Sequence, residues 1–314
     1  MAHLFPASLR LPGGHGARWA LAGSCAVAAV LLAPSAAAQT SSLDLVTDNY
    51  RTAAEAARPV MLGIARGTFA ILAVLEIALA ALWWTLRERG PAEVLSALVV
   101  KLGWLGFVFA LLASFDFWFV VIIDGFVAAG QRSASGPAMS PGDILAAGAQ
   151  IADAVRSGYF EETSGLELLS PASWDALATV IVSSLFIELV YLVIAALVVL
   201  AFVEAFVVLT TGALVLGFAA FRGTASLADR FVAYAFAIGI RLFLLYLLVG
   251  VGQNLAEGWG PMLAADPTNK ALLLQVLGGS VTFGLIVLVI PFKVSSQLTS
   301  TFDPGFVRAL LSVG

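Results

Sequence analysis

An uninterrupted apolar stretch from Ala176 to Phe221 constrains this chain more than any other feature. It carries two charged residues, Glu188 and Glu204, no proline, and no glycine before Gly212. At ~1.5 Å per residue, positions 176–210 alone make a helix of roughly 50 Å, whereas a bilayer core is ~30 Å thick. Two spans packed nose to tail need a turn. The middle, Ile194-Ala-Ala-Leu-Val-Val-Leu200, holds no Gly, Pro, Asn or Asp to make one. The stretch therefore reads as one helix that outruns the membrane. An apolar end outside lipid must be covered by protein, which implies work inside an assembly.

Composition agrees. Hydrophobic residues make up 61%, charged residues 11%, and mean hydropathy is +0.99. A soluble domain has ~25% charged residues, so this is an integral membrane protein. A net charge of −4 offers no basic field for nucleic acid. Two histidines and one cysteine leave no metal-ligand cluster and no disulfide.

Residues 1–38 read as a secretory signal peptide. Arg10 and Arg18 precede or flank an apolar run from about Trp19 to Ala33; then come Pro34 and the small-residue site Ala36-Ala37-Ala38, with cleavage expected between Ala38 and Gln39. The rival is an uncleaved first helix. Leu21-Ala-Gly-Ser-Cys25 faintly echoes a lipoprotein box but has almost no apolar run before it. His3, His15 and Cys25 all lie in this segment, so cleavage leaves a mature chain without thiol or imidazole.

The expected order after that is a polar periplasmic segment, 39–59, ending at Pro59, and a first span from Val60 to about Leu86. Gly63 and Gly67 form a G-x-x-x-G pair in it, and Trp83-Trp84 stand where an interfacial belt falls. A second span runs from Val94 to about Ser114. Asp116-Phe-Trp-Phe119 and the piece up to Ala129, broken by Asp124, read as an interfacial or re-entrant helix, closing the 60–130 unit. Residues 131–173 form a small helical periplasmic insertion. Ser140 is its expected N-cap and Pro141 its first helical residue, with Ile144, Leu145, Ile151 and Val155 on one face. The core, 174–292, holds the long helix, a span from Phe231 to about Val251, a loop from Gln253 to Lys270, and a last span from Ala271 to Ile290 ending at Pro291. A short cytoplasmic tail, 293–314, follows. The fold expected is all-α, with five transmembrane helices.

Lysine and arginine placement orients it. Arg87, Arg89, Arg222, Arg230, Lys293 and Arg308 fall on one side, and only Arg132, Arg156 and Lys270 on the longer loops of the other. The positive-inside rule puts the first set in the cytoplasm and the mature N-terminus in the periplasm. Counting the long helix twice would spoil this agreement.

Glu76, Lys101, Glu188, Glu204 and Arg241 lie within the expected spans. Each such charge costs at least ~2.5–3.5 kcal/mol at mid-bilayer and faces protein or water. Glu76 and Lys101 stand at matching depths on antiparallel spans, and Glu204 and Arg241 approach one inner loop from either side. Glu188 has no evident partner, which marks it for a lumen-facing or inter-subunit role. Two readings stand: structural ion pairs that fix helix register, or a polar pathway.

Gly-x-Ser-x-Gly, Walker A, His-Glu-x-x-His and Cys-x-x-Cys motifs are absent from the sequence. No enzyme activity and no cofactor is therefore expected, and energy for any transport must come from a partner or an ion gradient.

Several segments resemble the TrbL-type inner-membrane subunits of conjugative type IV secretion systems. They are Phe69-Ala-Ile-Leu-Ala-Val-Leu-Glu76 running to Trp83-Trp84, Lys101-Leu-Gly-Trp-Leu-Gly-Phe107, and Ser140-Pro-Gly-Asp-Ile-Leu145. The most specific is Gly212-Ala-Leu-Val-Leu-Gly-Phe218, with Gly217 near its end, followed by Thr224 and Ala228-Asp-Arg-Phe-Val-Ala-Tyr234. Ala219-Ala220 stands where the family has a glycine pair. The resemblance implies a polytopic homo-oligomer, embedded in membrane lipid beneath a periplasmic stalk, beside an inner-membrane scaffold and cytoplasmic ATPases. It would help pass single-stranded DNA–protein complexes or effector proteins. Gly212 and Gly217 would then form a hinge or re-entrant motif at the inner foot of the long helix. The alternative, a stand-alone secondary transporter or channel, predicts inverted repeats, and five spans do not divide into two equal halves.

Overall fold

The computed structural model describes residues 36–88, 90–134, 139–162, 171–266 and 269–301. Every regular element among them is helical: α1 (Ala36–Leu86), α2 (Pro91–Ala113), a π-helical turn (Asp116–Val120), α3 (Val121–Ser133), α4 (Pro141–Glu162), α5 (Pro171–Gly217), a 3₁₀ turn (Phe218–Ala220), α6 (Ala225–Ala265) and α7 (Lys270–Thr301). Five stretches are long and apolar enough to cross a membrane: Ser42–Leu86, Pro91–Ala113, Trp174–Ala220, Ala225–Leu263 and Lys270–Leu298. The protein is an all-α, multi-pass membrane protein. Nearly all of the expected signal segment lies outside the described residues, as does the tail beyond Thr301; Ala38 and Gln39 fall in the first turns of α1.

α5 is the spine. Its 47 residues make a rod of ~70 Å. Ile187, Tyr191, Ile194, Val198, Ala201 and Ala205 are all buried. They recur every three or four residues, the seam of a helix packed lengthwise against neighbours. Alanines in that seam let other backbones approach closely, which is how helices associate where lipid removes the hydrophobic driving force. The opposite face, with Leu185, Leu189, Leu200 and Val207, is exposed and equally apolar.

Contacts fix the directions. Thr210 reaches the Ala54 carbonyl, and the Arg222 amide reaches Glu76, so α1 and α5 run parallel. Lys270 pairs with Asp175, and a Cβ on Gly284 would meet Val190, so α7 runs the same way. α6 runs against α5, with Arg241 on Glu204 and Tyr246 on Phe202. α2 runs against α1, with Lys101 on Glu76 and Phe109 on Phe69. This alternation is what five single crossings need, and α5 makes one of them.

Several sequence boundaries dissolve into longer helices. α1 is continuous through Pro59, α6 through Pro261 and α7 through Pro291. The expected break between the 39–59 segment and the first span is therefore not a break in the helix, and most of the Gln253–Lys270 loop is helix. Proline removes one backbone hydrogen bond, and membrane helices tolerate this where neighbours help satisfy the freed group. α2 ends at Ala113, where Ser114 leaves helical angles (φ −102°, ψ 23°), and the Asp116–Val120 π-turn runs straight into α3, with Phe115 and Val121 at its two ends in right-handed helical geometry. α3 then lies along α6: Phe126 meets Phe236, and the Asn254 amide donates to the Ala134 carbonyl.

α4 packs along the N-terminal half of α5, with Arg156 on Glu188 and Gly148 against Tyr191. Ser140 Oγ accepts the Asp143 amide at 3.1 Å while Asp143 Oδ2 accepts the Ser140 amide at 2.8 Å, a reciprocal cap. The expected face is the one buried: Ile144, Leu145, Ile151 and Val155, joined by Tyr159. Each such side chain contributes ~1.5–3 kcal/mol on leaving water. The insertion thus covers one side of this half of α5, while Leu185 and Leu189 on the other side stay exposed. Asp44 of α1 ties the start of α4 down, accepting the Gly142 amide at 3.1 Å and the Ser140 hydroxyl at 3.3 Å.

Beyond Ala65, α1 continues past the foot of α5 and pairs with α2 as an arm. Ala80, Trp84 and Ala97 form a small core of their own there. Outward residues such as Ile71, Leu82 and Leu95 are exposed and apolar.

Candidate functional site

Three charged junctions tie the spans together, and they contain all five charged residues singled out in the sequence. At the arm, Lys101 Nζ lies 2.7 Å from Glu76 Oε1, and Glu76 Oε2 accepts the Arg222 backbone N–H at 3.2 Å. Glu76 is 7% exposed. One carboxylate therefore holds α2 and the α5–α6 connection to α1. The Lys101 ammonium also faces the Trp84 ring, 5.9 Å from its centroid.

The second junction joins α5, α6 and α7. Arg241 pairs with Glu204, Tyr234 donates its hydroxyl to the same carboxylate, and Arg241 Nε donates to Ser295 Oγ at 3.4 Å. The Arg241 guanidinium sits 4.6 Å above the centroid of the Phe292 ring. Both sequence-matched pairs, Glu76–Lys101 and Glu204–Arg241, are thus in contact.

The third junction corrects the expectation that Glu188 lacks a partner. Arg156 of α4 bridges Asp153 at 2.7 Å and Glu188 at 2.5 Å. Burial works against the Arg156 charge, but the hydrogen bonds and charges of Asp153 and Glu188 outweigh it and hold its pKa above the ordinary value. The guanidinium stays charged at every working pH. Glu188 is a docking point for α4 within one chain. Sequence depth counting missed the pair because the two residues stand at different distances from the α4–α5 connection.

Sequence reading also missed Asp44, Tyr234 and the Arg58–Asp116 pair, at 3.2 Å between α1 and the π-turn. Asp116 in an aromatic run carried a signal, since an acid beside a span needs a cation at similar depth. Gly212 lies inside α5, and the helix ends only at Gly217, passing into the 3₁₀ turn. Both glycines are close-approach points. A Cβ on Gly212 would stand 1.9 Å from the Phe231 ring, and one on Gly217 would stand 2.7 Å from the Ala65 carbonyl oxygen. Among the described residues, no group of three or more His, Cys, Asp or Glu is placed to hold a metal ion.

The arrangement is one of clamps: the first holds α2 and the α5–α6 connection to α1, the second joins α6 and α7 to α5, and the third joins α4 to α5. Residues 73–295, which contain all three junctions, match the family described as TrbL/VirB6 plasmid conjugal transfer protein. A conjugal transfer protein TrbL of Rhizobium radiobacter is 27% identical over 269 residues, covering 83% of this chain and 64% of the relative. A probable conjugal transfer protein TrbL of Sinorhizobium fredii (strain NBRC 101917 / NGR234) is 26% identical over 248 residues, covering 78% of this chain and 60% of the relative. The chain thus spans less than two thirds of the length of these curated relatives. With 73–295 reaching from the arm through α5 to the end of the α7 clamp, the chain belongs to the TrbL/VirB6 plasmid conjugal transfer family.

Proposed function

We propose that this protein is an inner-membrane subunit of a conjugative type IV secretion machine, serving as a scaffold or channel wall for single-stranded DNA–protein complexes or effector proteins. The observation that carries this reading is the family match across the whole clamped bundle. The clamps support a scaffold: they tie neighbouring helices together by buried charge pairs, as a part that bears load in an assembly needs. Lysine and arginine bias supports an orientation with the arm tip, the 221–230 connection and the C-terminus in the cytoplasm. The N-terminal end of α5, with α4 on one side of it, then faces the periplasm, where a stalk would stand, and ATP hydrolysis belongs to separate cytoplasmic partners. The apolar outer face of α5 supports contact with lipid or with further copies of the chain.

Deletion with complementation in a mating assay tests the reading. Transfer should fall to background in the deletion strain and return with the wild-type gene. Normal transfer without the protein refutes it.

A further inference from the structure

A groove of about 450 Å³ runs between the C-terminal end of α5 and the N-terminal end of α6. Val208, Val215 and Phe218 line one wall, and Leu227, Arg230 and Tyr234 the other. Leu227 and Tyr234 are 47% and 42% exposed, so the groove is open to a further side chain. Its walls continue the helix faces that α7 covers nearer the middle of the bundle. Glu204 stands one turn from Val208 on α5, and Arg241 two turns from Tyr234 on α6, each on the same face. There α7 closes over them, with Ser295 Oγ accepting from Arg241 Nε and the Phe292 ring under the guanidinium. The groove is the same track beyond the end of α7.

Gly284 lies against Val190 and Lys270 pairs with Asp175, a nearly constant offset between parallel helices. Thr301, the last residue of α7, therefore comes level with Phe206 or Val207, where the groove begins. Residues 302–314 follow, outside the described residues. They open with Phe302-Asp-Pro-Gly-Phe306. Pro304 followed by Gly305 favours a break after α7, and Pro304 biases Asp303 toward extended geometry. At ~3.3 Å per extended residue, Asp303 comes ~7 Å nearer the foot of α5 than Thr301. Arg230 precedes Phe231, whose ring faces Gly212, and Gly212 is ~7.5 Å nearer the foot than Val207. The acid and the cation thus reach one depth.

The Arg230 side chain is exposed and, among the described residues, makes no ion pair or hydrogen bond. Asp303 is the one acid in 302–314. Beyond it, Phe306 and Leu310 stand four residues apart and supply apolar side chains for the far end of the groove. Their tether to α7 gives an effective concentration on the order of millimolar. An acyl chain would suit the apolar walls, but Arg230 lies between Leu227 and Tyr234 along α6, where an acyl chain brings no anion.

We propose that the segment 302–311 continues the track of α7 into the α5–α6 groove, with Asp303 paired to Arg230 and Phe306 and Leu310 against Val215, Phe218 and Leu227. The tail then latches the foot of α5 to α6. This latch is independent of what the assembled machine transports.

The test uses the full chain in detergent, with Cys25, its one cysteine, changed to Ser. Spin labels are attached through Ser226→Cys, at the rim of the groove, and Val307→Cys, in the tail, and their separation is read by pulsed electron paramagnetic resonance. The parent chain should give one short, narrow distance. Arg230→Asp or Asp303→Arg should each cut the ratio of docked to undocked tail about 5-fold, and Phe306→Gln/Leu310→Gln should do at least as much. The swap Arg230→Asp/Asp303→Arg should restore the narrow distance. A reference pair, Arg51→Cys with Ser226→Cys, should keep its distance in every variant, which shows that the helices still pack. A broad distribution in the parent chain, or a swap that restores nothing, overturns the proposal. Loss of the narrow distance on dilution with unlabelled chain puts a second copy's tail in the groove and overturns it too. Loss of that distance on adding phosphatidylglycerol hands the groove to lipid and does the same.

Discussion

Removing Lys101 should do more harm than removing the charge it neutralises. The pair is enclosed: the Lys101 and Glu76 side chains are 12% and 9% exposed, with 2.7 Å between charged atoms. At an effective dielectric of ~20 their attraction is about 6 kcal/mol, but desolvation costs several kcal/mol per ion. The intact pair is therefore close to neutral, and breaking it is not. Lys101→Met leaves a buried carboxylate held by the Arg222 N–H, at a cost of ~3–5 kcal/mol. Glu76→Gln keeps an acceptor for that N–H and strands a lysine whose long stem can carry its ammonium toward water, at a cost of ~1–3 kcal/mol. Glu76→Met/Lys101→Met removes both charges, so its loss should fall well short of the two single losses added together. With ~2–4 °C of midpoint per kcal/mol in a protein this large, Lys101→Met should lower the thermal midpoint in detergent by about 6–20 °C. Hydrogen exchange gives a second readout: the 221–224 connection should loosen in Glu76→Met and hold in Glu76→Gln. A shift under ~2 °C for Lys101→Met, or single losses that simply add, would refute a buried, coupled pair.

The other junctions are tested in the same way. Arg156→Met should release α4 from α5 at a cost of about 1–3 kcal/mol, below the fully buried limit because the Glu188 side chain is 32% exposed; limited proteolysis between α4 and α5 should speed up, and unchanged cleavage would remove the docking role. Arg241→Met should cost ~2–4 kcal/mol and Tyr234→Phe only ~1 kcal/mol, because the first strands Glu204 and the second removes one neutral donor; equal thermal shifts would contradict this ranking. Gly217→Ala forces a Cβ to 2.7 Å from the Ala65 carbonyl oxygen and should cost ~1–3 kcal/mol, whereas a Cβ on Gly63 meets nothing within 4 Å. Gly63→Ala should therefore leave the midpoint of the isolated chain where it was, and a large loss there would show that α1 packs differently at Gly63.

The chain's own letters made much of this fold readable. A stretch with no proline, and no glycine before Gly212, cannot turn inside the membrane, so α5 had to be one rod. Matching depths put Lys101 opposite Glu76 because a short hairpin leaves antiparallel helices little freedom of register. The face of α4 was readable because that helix is amphipathic. The proline boundaries were misread for a physical reason: in water a proline ends most helices, while in a packed apolar bundle the loss of one hydrogen bond is smaller than the loss of a long packed face. Glu188 was misread because its partner comes from a segment whose offset is set by packing and not by counting.

Sequence alone thus determined the class, the number of crossings, the length of the spine and which charges had to find partners. Burying a charge or an unpaired backbone group in lipid costs kilocalories wherever the helix goes, so those demands are written residue by residue. Only the tertiary structure decided which side of α5 is core. Both sides are apolar, so no hydrophobic pattern distinguishes them. The choice rests on shape: alanines and glycines admit neighbouring backbones along one seam, and leucines on the other side do not.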